Sequence, residues 1–172
     1  GYLPMSVVLT TDTIYQGFYH PYSTFKGFLH SHSFTGNPLA ARSALASLEL
    51  FALDPQLQRQ QQINAVLTQA LQPLQQHSHI ANIRQTGTIA AFDLVQDKAS
   101  KTPFDWRERR GLQVFQSALA KGVLLRPIGN TVYFMPPYVI TDDELRWVVE
   151  VAAEAVDEAT YAPASGSDVG VS

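Results

Sequence analysis

His30-Ser31-His32-Ser33-Phe34-Thr35-Gly36-Asn37-Pro38-Leu39-Ala40 is the stretch from which the rest of this chain can be read. Hydroxyls and a glycine run into Asn-Pro, and an Ala/Leu-rich helix follows. A helix start carries unpaired backbone N–H groups and the positive end of the helix dipole. Ser and Thr hydroxyls just before it complete an anion site of the kind that takes phosphate. The same residues also serve ordinary capping and turn chemistry. Taken alone, the loop admits both readings.

Downstream of the loop, Pro38 to about Leu53 reads as a helix with Leu39, Ala44, Leu45, Leu48 and Phe51 as its apolar positions. Asp54-Pro55 supplies a cap and a proline for a restart. The next helix, to about Leu74, is Gln-rich but keeps Leu57, Ile63, Val66, Ala70 and Leu71 at helical spacing, so the glutamines form a solvated face. Upstream, the β-branched run Met5–Thr10 predicts a buried strand. Thr11-Asp12 caps a short helix through about Phe18, and the aromatic residues 19–29 form a loop. The chain opens without Met and without a leader, as a piece of a longer protein would.

The pattern changes near residues 73–78. Ile80–Ile83 and Gly87–Val95 read as strands, and residues 96–102 as a loop. Thr102-Pro103 caps a helix over 104–121, with Gly122 as its C-terminal cap. Val123-Leu124-Leu125-Arg126, the turn Pro127–Asn130 and the return strand Thr131–Met135 form a hairpin. Thr141-Asp142-Asp143-Glu144 is a capping box. Its helix places Leu145, Val148, Val149, Ala152 and Val156 on one face. Residues 161–172 read as a disordered tail. The chain thus divides into residues 1–75, a strand and long helices without sheet partners, and residues 78–160, a compact α/β unit.

With 172 residues, 45% hydrophobic and 16% charged, the chain can bury a core of one domain or two small ones. A net charge of −3 with scattered signs carries no basic nucleic-acid footprint and no polybasic membrane patch. No apolar run reaches the length of a membrane span. The absence of cysteine removes disulfides and thiolate metal sites, and fits a reducing cytoplasm. His30 and His32 can share a face of an extended segment, but no third ligand follows, so no metal is expected. His77 and His79 read as surface residues. Trp106 and Trp147 read as packing residues on amphipathic helices.

Three blocks fall in one order: Gly1-Tyr2-Leu3-Pro4-Met5 through Thr11, His30 through Ala40, and Leu125-Arg126-Pro127-Ile128-Gly129-Asn130 through Tyr138. They resemble the class III pyridoxal-phosphate-dependent aminotransferases over roughly residues 1–160. Leu3-Pro4-Met5 and Met135-Pro136-Pro137-Tyr138 point within that family to the biotin-synthesis branch. The resemblance implies an α/β protein of the aspartate-aminotransferase-like fold type I. Residues 1–75 would be the C-terminal remainder of the large cofactor domain, and 78–160 the small C-terminal domain. It also implies pyridoxal 5'-phosphate as cofactor, and transfer of an amino group from S-adenosylmethionine to 8-amino-7-oxononanoate, giving 7,8-diaminononanoate. A homodimer with active sites shared across the interface is implied as well, together with the N-terminal half of the same enzyme as a partner. In the family the Schiff-base lysine lies a few residues before Gly-Tyr-Leu-Pro, hence before Gly1. None of Lys26, Lys98, Lys101 and Lys121 stands in that motif, so no catalytic residue is assigned and the chain alone is expected to be inactive. The alternatives are another class III enzyme, acting on ornithine, 4-aminobutyrate or an ω-amino acid, and a non-catalytic folding or dimerisation module.

The resemblance carries over to individual residues. Ser33 stands at the family position, usually Thr, whose hydroxyl binds the cofactor phosphate. His32 adjoins it and would touch the cofactor through its backbone only. This loop would serve the partner subunit's site. Ser31, often Gly in the family, would meet substrate through its main chain. Arg126 ends an apolar run before a Pro turn, where a buried guanidinium needs a carboxylate. Its planar fork suits two parallel hydrogen bonds to that group. The residues alone leave an intrachain ion pair and a bound ligand equally open; the resemblance makes the carboxylate the substrate's. Tyr133, across the hairpin, resembles a tyrosine lining the substrate site, and could equally be a core aromatic.

Overall fold

The computed structural model describes residues 2–53 and 56–161, and burial divides them sharply. They pack as two units, which part at residues 55 and 56. Gly1, the Asp54-Pro55 restart and the tail from residue 162 onward lie outside the described residues.

The first unit holds α1 (Asp12–Gln16), a 3₁₀ turn at Tyr22–Thr24 and α2 (Pro38–Leu53). Ala40 is its one buried residue among those described. The strand expected over Met5–Thr10 is absent: these residues form no ladder, and Val8 is 91% exposed. A lone extended segment cannot satisfy its own N–H and C=O groups, and the unit contains no other strand among the described residues.

The second unit follows as α3 (Gln56–Leu71), β1 (Ile80–Thr86), β2 (Ile89–Asp97), β3 (Thr102–Pro103), α4 (Arg110–Ala120), β4 (Thr131–Phe134) and α5 (Asp142–Tyr161). α3 therefore packs with this unit, about twenty residues before the change in sequence character near 75. Its buried face is Ile63, Val66, Leu67 and Leu71. β2 is central and every pairing is antiparallel: Ile80 lies opposite Leu94, Phe92 opposite Val132, and Val95 opposite Pro103. Ala90, Phe92 and Leu94 alternate onto one face and pack with Val132 and Phe134. The Phe92 and Phe134 rings stand 6.1 Å apart. Val114 and Ala118 of α4 and Leu145, Val149, Ala152 and Val156 of α5 close the same core. The result is a sheet with helices on its apolar face, as the α/β pattern of 78–160 requires.

Helix ends follow the sequence signals closely. Thr141 Oγ1 accepts from the Glu144 N–H at 3.2 Å, while Glu144 accepts from the Thr141 N–H at 2.7 Å, a complete capping box. At the end of α4, Gly122 takes φ +87°. Its N–H reaches the Leu119 carbonyl and that of Val123 the Ala118 carbonyl, which is a Schellman motif. Tyr161, assigned by sequence to the tail, instead completes α5, because its hydroxyl bonds Ser78 at 2.8 Å and its ring packs on His77 and His79. Those two histidines are half-buried rather than superficial: His77 bonds Asp157, and His79 bonds the Val95 carbonyl.

Two further expectations change. The helix expected from residue 104 begins only at Arg110, because Arg109 takes the left-handed φ of +50°. Ahead of it lie β3 and a 3₁₀ turn capped by Asp105. Trp106 is accordingly 75% exposed, with the Arg107 guanidinium 5.0 Å from its ring. Residues 123–127 form no strand. The expected hairpin closes only at Ile128 and Thr131, next to Pro127 with its fixed φ, and β4 pairs with β2 instead.

Arg110 is 6% exposed, so its charge has to be matched. Nε and Nη2 donate to Glu108 Oε2 at 3.0 and 2.8 Å, Nη1 donates to the Ala159 carbonyl, and the guanidinium lies 5.0 Å from the Phe104 ring. Arg59 of α3 plays a comparable part at the start of α5. It donates to Asp142 at 2.7 Å and to the carbonyls of Tyr138 and Ile140, while Gln60 Nε2 donates to the Tyr138 hydroxyl at 2.7 Å. The hydrogen bond from Arg59 holds Asp142 below its ordinary value of 3.8; partial burial works the other way, and a bond from Gln62 adds to the lowering.

Phe92 is fully buried, so Phe92→Ala should cost about 3–5 kcal/mol in denaturant unfolding. Because the folded-state pKa of Asp142 is lowered, its stabilising effect is complete above the ordinary value of 3.8 and disappears as pH falls through the folded value. Asp142→Asn should therefore lower stability at neutral pH and flatten part of the loss below pH 4 in a pH series of unfolding curves, an approximate boundary set by unperturbed carboxylates.

Candidate functional site

The His30–Ala40 segment folds as a turn leading into α2. Thr35 closes it twice: its N–H donates to the His32 carbonyl and its hydroxyl accepts from the His32 N–H, both at 2.9 Å. Asn37 caps α2, its Oδ1 accepting from the Leu39 N–H at 3.0 Å. The capping duty thus falls to Asn37, directly before Pro38, and does not involve Ser33. Among the described residues, the Ser33 hydroxyl and the N–H groups of Ser33, Phe34 and Gly36 make no hydrogen bond. Gly36 takes φ +77°, which the turn requires. Ser31, His32 and Ser33 are all exposed. The His32 ring stacks on Phe34 at 5.4 Å and meets His30 edge-on at 5.4 Å. Both main-chain polar groups of His32 are engaged by Thr35.

In the second unit, Arg126 and Tyr133 line one pocket of about 310 Å³. Leu124, Met135, Trp147 and Val148 make its apolar walls. Leu124 and Met135 are each 67% exposed, and Trp147, expected to be packed, is 46% exposed at the pocket's edge. Arg126 is exposed, against the expectation of a buried guanidinium, because burial alternates along its segment and Val123 and Leu125 take the core positions. None of the ion pairs among the described residues involves Arg126, so the intrachain pair left open by the sequence does not form among them. Tyr133 is half-buried on β4, opposite Ala91. Pro136 and Pro137 also border the pocket, and the Arg59 clamp holds the chain just beyond them at Tyr138–Asp142.

Lys98 and Lys121 are engaged elsewhere in the second unit. Lys98 donates to the carbonyls of Gln75 and His77, and Lys121 pairs with Glu158 at 2.6 Å and Glu154 at 3.3 Å. Glu158 is held below its ordinary value by the hydrogen bond from Lys121, with Ser117 adding to it. On the outer face of the sheet, partial burial disfavours the charge of Asp93, but hydrogen bonds from Arg84, Asn82 and Thr131 outweigh it and lower the pKa. These are structural ion pairs, distant in character from the unpartnered groups at Ser33 and Arg126. Among the described residues no helix is long and apolar enough to cross a membrane.

The arrangement places hydrogen-bond donors without an acceptor among the described residues at one turn of the first unit, and a guanidinium beside an apolar pocket in the second. Residue type and the family resemblance pointed to Ser33, Arg126 and Tyr133. It did not single out the Thr35 closure or the Arg59 clamp, which depend on partners three and about eighty residues away.

Comparison with known proteins bears on this pattern. Adenosylmethionine-8-amino-7-oxononanoate aminotransferase of Geobacter sulfurreducens is 41% identical over 160 residues, covering 93% of this chain and 35% of its own. The enzyme of that name from Helicobacter pylori is 40% identical over 163 residues, covering 92% and 35%. The crystal structure of the Methanocaldococcus jannaschii enzyme of the same name superposes with a TM-score of 0.82 at 33% identity, covering 87% of this chain and 34% of that one. A PMP-bound aminotransferase from Vibrio fluvialis shares the fold, with a TM-score of 0.75 at 22% identity. The chain therefore spans about a third of the length of the relatives it matches. Its fold is that of an α/β part of a fold-type-I transaminase. The family described as aminotransferase class-III matches residues 1–156, and the chain belongs to that family.

Proposed function

We propose that this chain is the C-terminal part of a pyridoxal-phosphate-dependent transaminase that moves an amino group from S-adenosylmethionine to 8-amino-7-oxononanoate in biotin synthesis. The observation that carries this is Arg126: an exposed guanidinium without a carboxylate partner, beside Tyr133 in an apolar pocket of about 310 Å³. An unpaired planar fork is available for the terminal carboxylate of a long aliphatic acceptor, and the apolar walls suit its methylenes. The relatives bearing that substrate pair in their names support the same choice.

The turn at Ser33 fits the cofactor's phosphate. Its hydroxyl and the N–H groups of Ser33, Phe34 and Gly36 make a donor set with no acceptor among the described residues, as an anion site needs. Ser33 would hold the phosphate, and His32, with both main-chain groups on Thr35, would keep the turn in register. Ser31 would meet substrate through its main chain. Pyridoxal phosphate, when bound, supplies the electron sink of transamination. Arg126 would orient the acceptor by its carboxylate, and Tyr133 would line the pocket and help exclude water.

Residues 2–53 would then belong to the large cofactor domain and 56–161 to the small one. The apolar surface of the first unit, with Tyr15, Phe18, Phe28 and Phe34 exposed, supports burial against the N-terminal half of the same protein and against a second subunit in a homodimer. The setting would be the cytoplasm.

The amino donor separates this function from its rivals. Full-length protein loaded with pyridoxal phosphate should transfer from S-adenosylmethionine to 8-amino-7-oxononanoate. Turnover with ornithine or 4-aminobutyrate in its place would point to another class III activity, and no turnover with any donor to an assembly role. Asn37→Ala should cost about 1 kcal/mol of stability. Ser33→Ala, with no intrachain bond to lose, should stay within about 0.5 kcal/mol in unfolding of the cofactor-free protein. The same Ser33→Ala should weaken cofactor affinity by about 1.5–3 kcal/mol, the scale of a hydrogen bond to a charged group, in a fluorescence titration with pyridoxal phosphate. Arg126→Ala should raise the acceptor KM by about tenfold or more on the same energy scale and leave cofactor affinity unchanged; equal losses in both would refute the assignment.

A further inference from the structure

Gly111 lies buried in the first turn of α4, against the turn that follows Arg126. A Cβ built on Gly111 would stand 2.0 Å from the Gly129 carbonyl oxygen, 3.1 Å from Pro127 Cβ and 3.2 Å from the Gly129 carbonyl carbon. Ordinary contact begins near 3.4 Å, so one side must retreat by well over an ångström.

Neither side can do so freely. The start of α4 is held by Arg110, whose guanidinium bonds Glu108 and the Ala159 carbonyl. The turn is held at its far end. Asn130 donates to the Phe104 carbonyl at 2.8 Å and its own carbonyl accepts from the Leu94 N–H at 2.8 Å. Ile128 and Thr131 exchange two main-chain bonds. Pro127 joins this anchored turn directly to Arg126, and residues 123–127 have no ladder, while Val123 and Leu125 are buried in the core. Displacement of the turn therefore falls on Pro127 and Arg126, the two residues between the turn and buried Leu125.

We propose that the close packing of Gly111 on Gly129 is a positioning device that sets where Arg126 reaches, and so how well the acceptor's carboxylate is gripped. This rests on the assignment of Arg126 to that carboxylate. Gly111 touches no reacting group; it acts through Arg126.

The test is a mutant cycle in the full-length protein loaded with pyridoxal phosphate. It compares wild type, Gly111→Ala, Arg126→Ala and the double variant, with 8-amino-7-oxononanoate and with its methyl ester as acceptors. Gly111→Ala should lower kcat/KM for the free acid by roughly ten- to hundredfold, the scale on which a misplacement near 1 Å acts, through KM and with cofactor content kept. The loss should vanish with the ester and in the Arg126→Ala background. A loss that persists in either, or that falls on kcat, marks a merely structural effect and overturns the inference while leaving Arg126 in its role. An Arg126→Ala protein with unchanged acceptor KM overturns the role of Arg126, and the inference with it. If Gly111→Ala does not fold, Gly129→Ala takes its place in the same cycle. That position has open space around it but a φ of +57°, so a side chain there strains the turn without entering the core. The same two criteria then decide.

Discussion

Every backbone N–H and C=O that leaves water must find a partner, and in this chain β2 is where that requirement is met. It is paired with β1, β3 and β4, and the face it presents with Phe92 at its centre is the one the helices cover. Segments that look equally strand-like but lie outside its reach form no ladder. Met5–Thr10 has the β-branched composition of a strand and no ladder, and Val123–Arg126 likewise. Extended conformation follows from local composition, whereas a strand is a relation between two segments.

The same distinction explains what the sequence made legible. Features closed within a few residues were readable: the Thr141–Glu144 box, the start of α2 at Pro38, the glycine cap at Gly122, and the alternation in β2. Features that depend on distant partners were not. α3 belongs with the second unit because Ile63, Leu67 and Leu71 meet a core assembled from residues up to about ninety positions later. The late start of α4 turns on one left-handed residue, Arg109, that no glycine or asparagine announces. Trp106 looked like a core aromatic by residue type, but the 3₁₀ turn places it on the surface.

At the candidate site, polar groups stand out by being unspent. Most charged side chains of the second unit are tied into pairs such as Arg59–Asp142, Arg110–Glu108 and Lys121–Glu158. Arg126 is not, and the Ser33 hydroxyl is idle next to a helix whose cap is supplied by Asn37. Residue type and family likeness indicated both positions. The spare hydrogen-bonding capacity itself is a property of the fold, since it depends on every neighbour that could have used it and does not.

The core of the second unit also has an order in time. Leu145, Val149, Ala152 and Val156 of α5 fill the space that α3, α4 and the sheet leave open, and the Ala159 carbonyl receives the buried Arg110. During synthesis from the N-terminus, the sheet and both earlier helices emerge before the element that completes them. Until α5 leaves the ribosome, the part of the core that it fills stays open and Arg110 lacks its Ala159 acceptor.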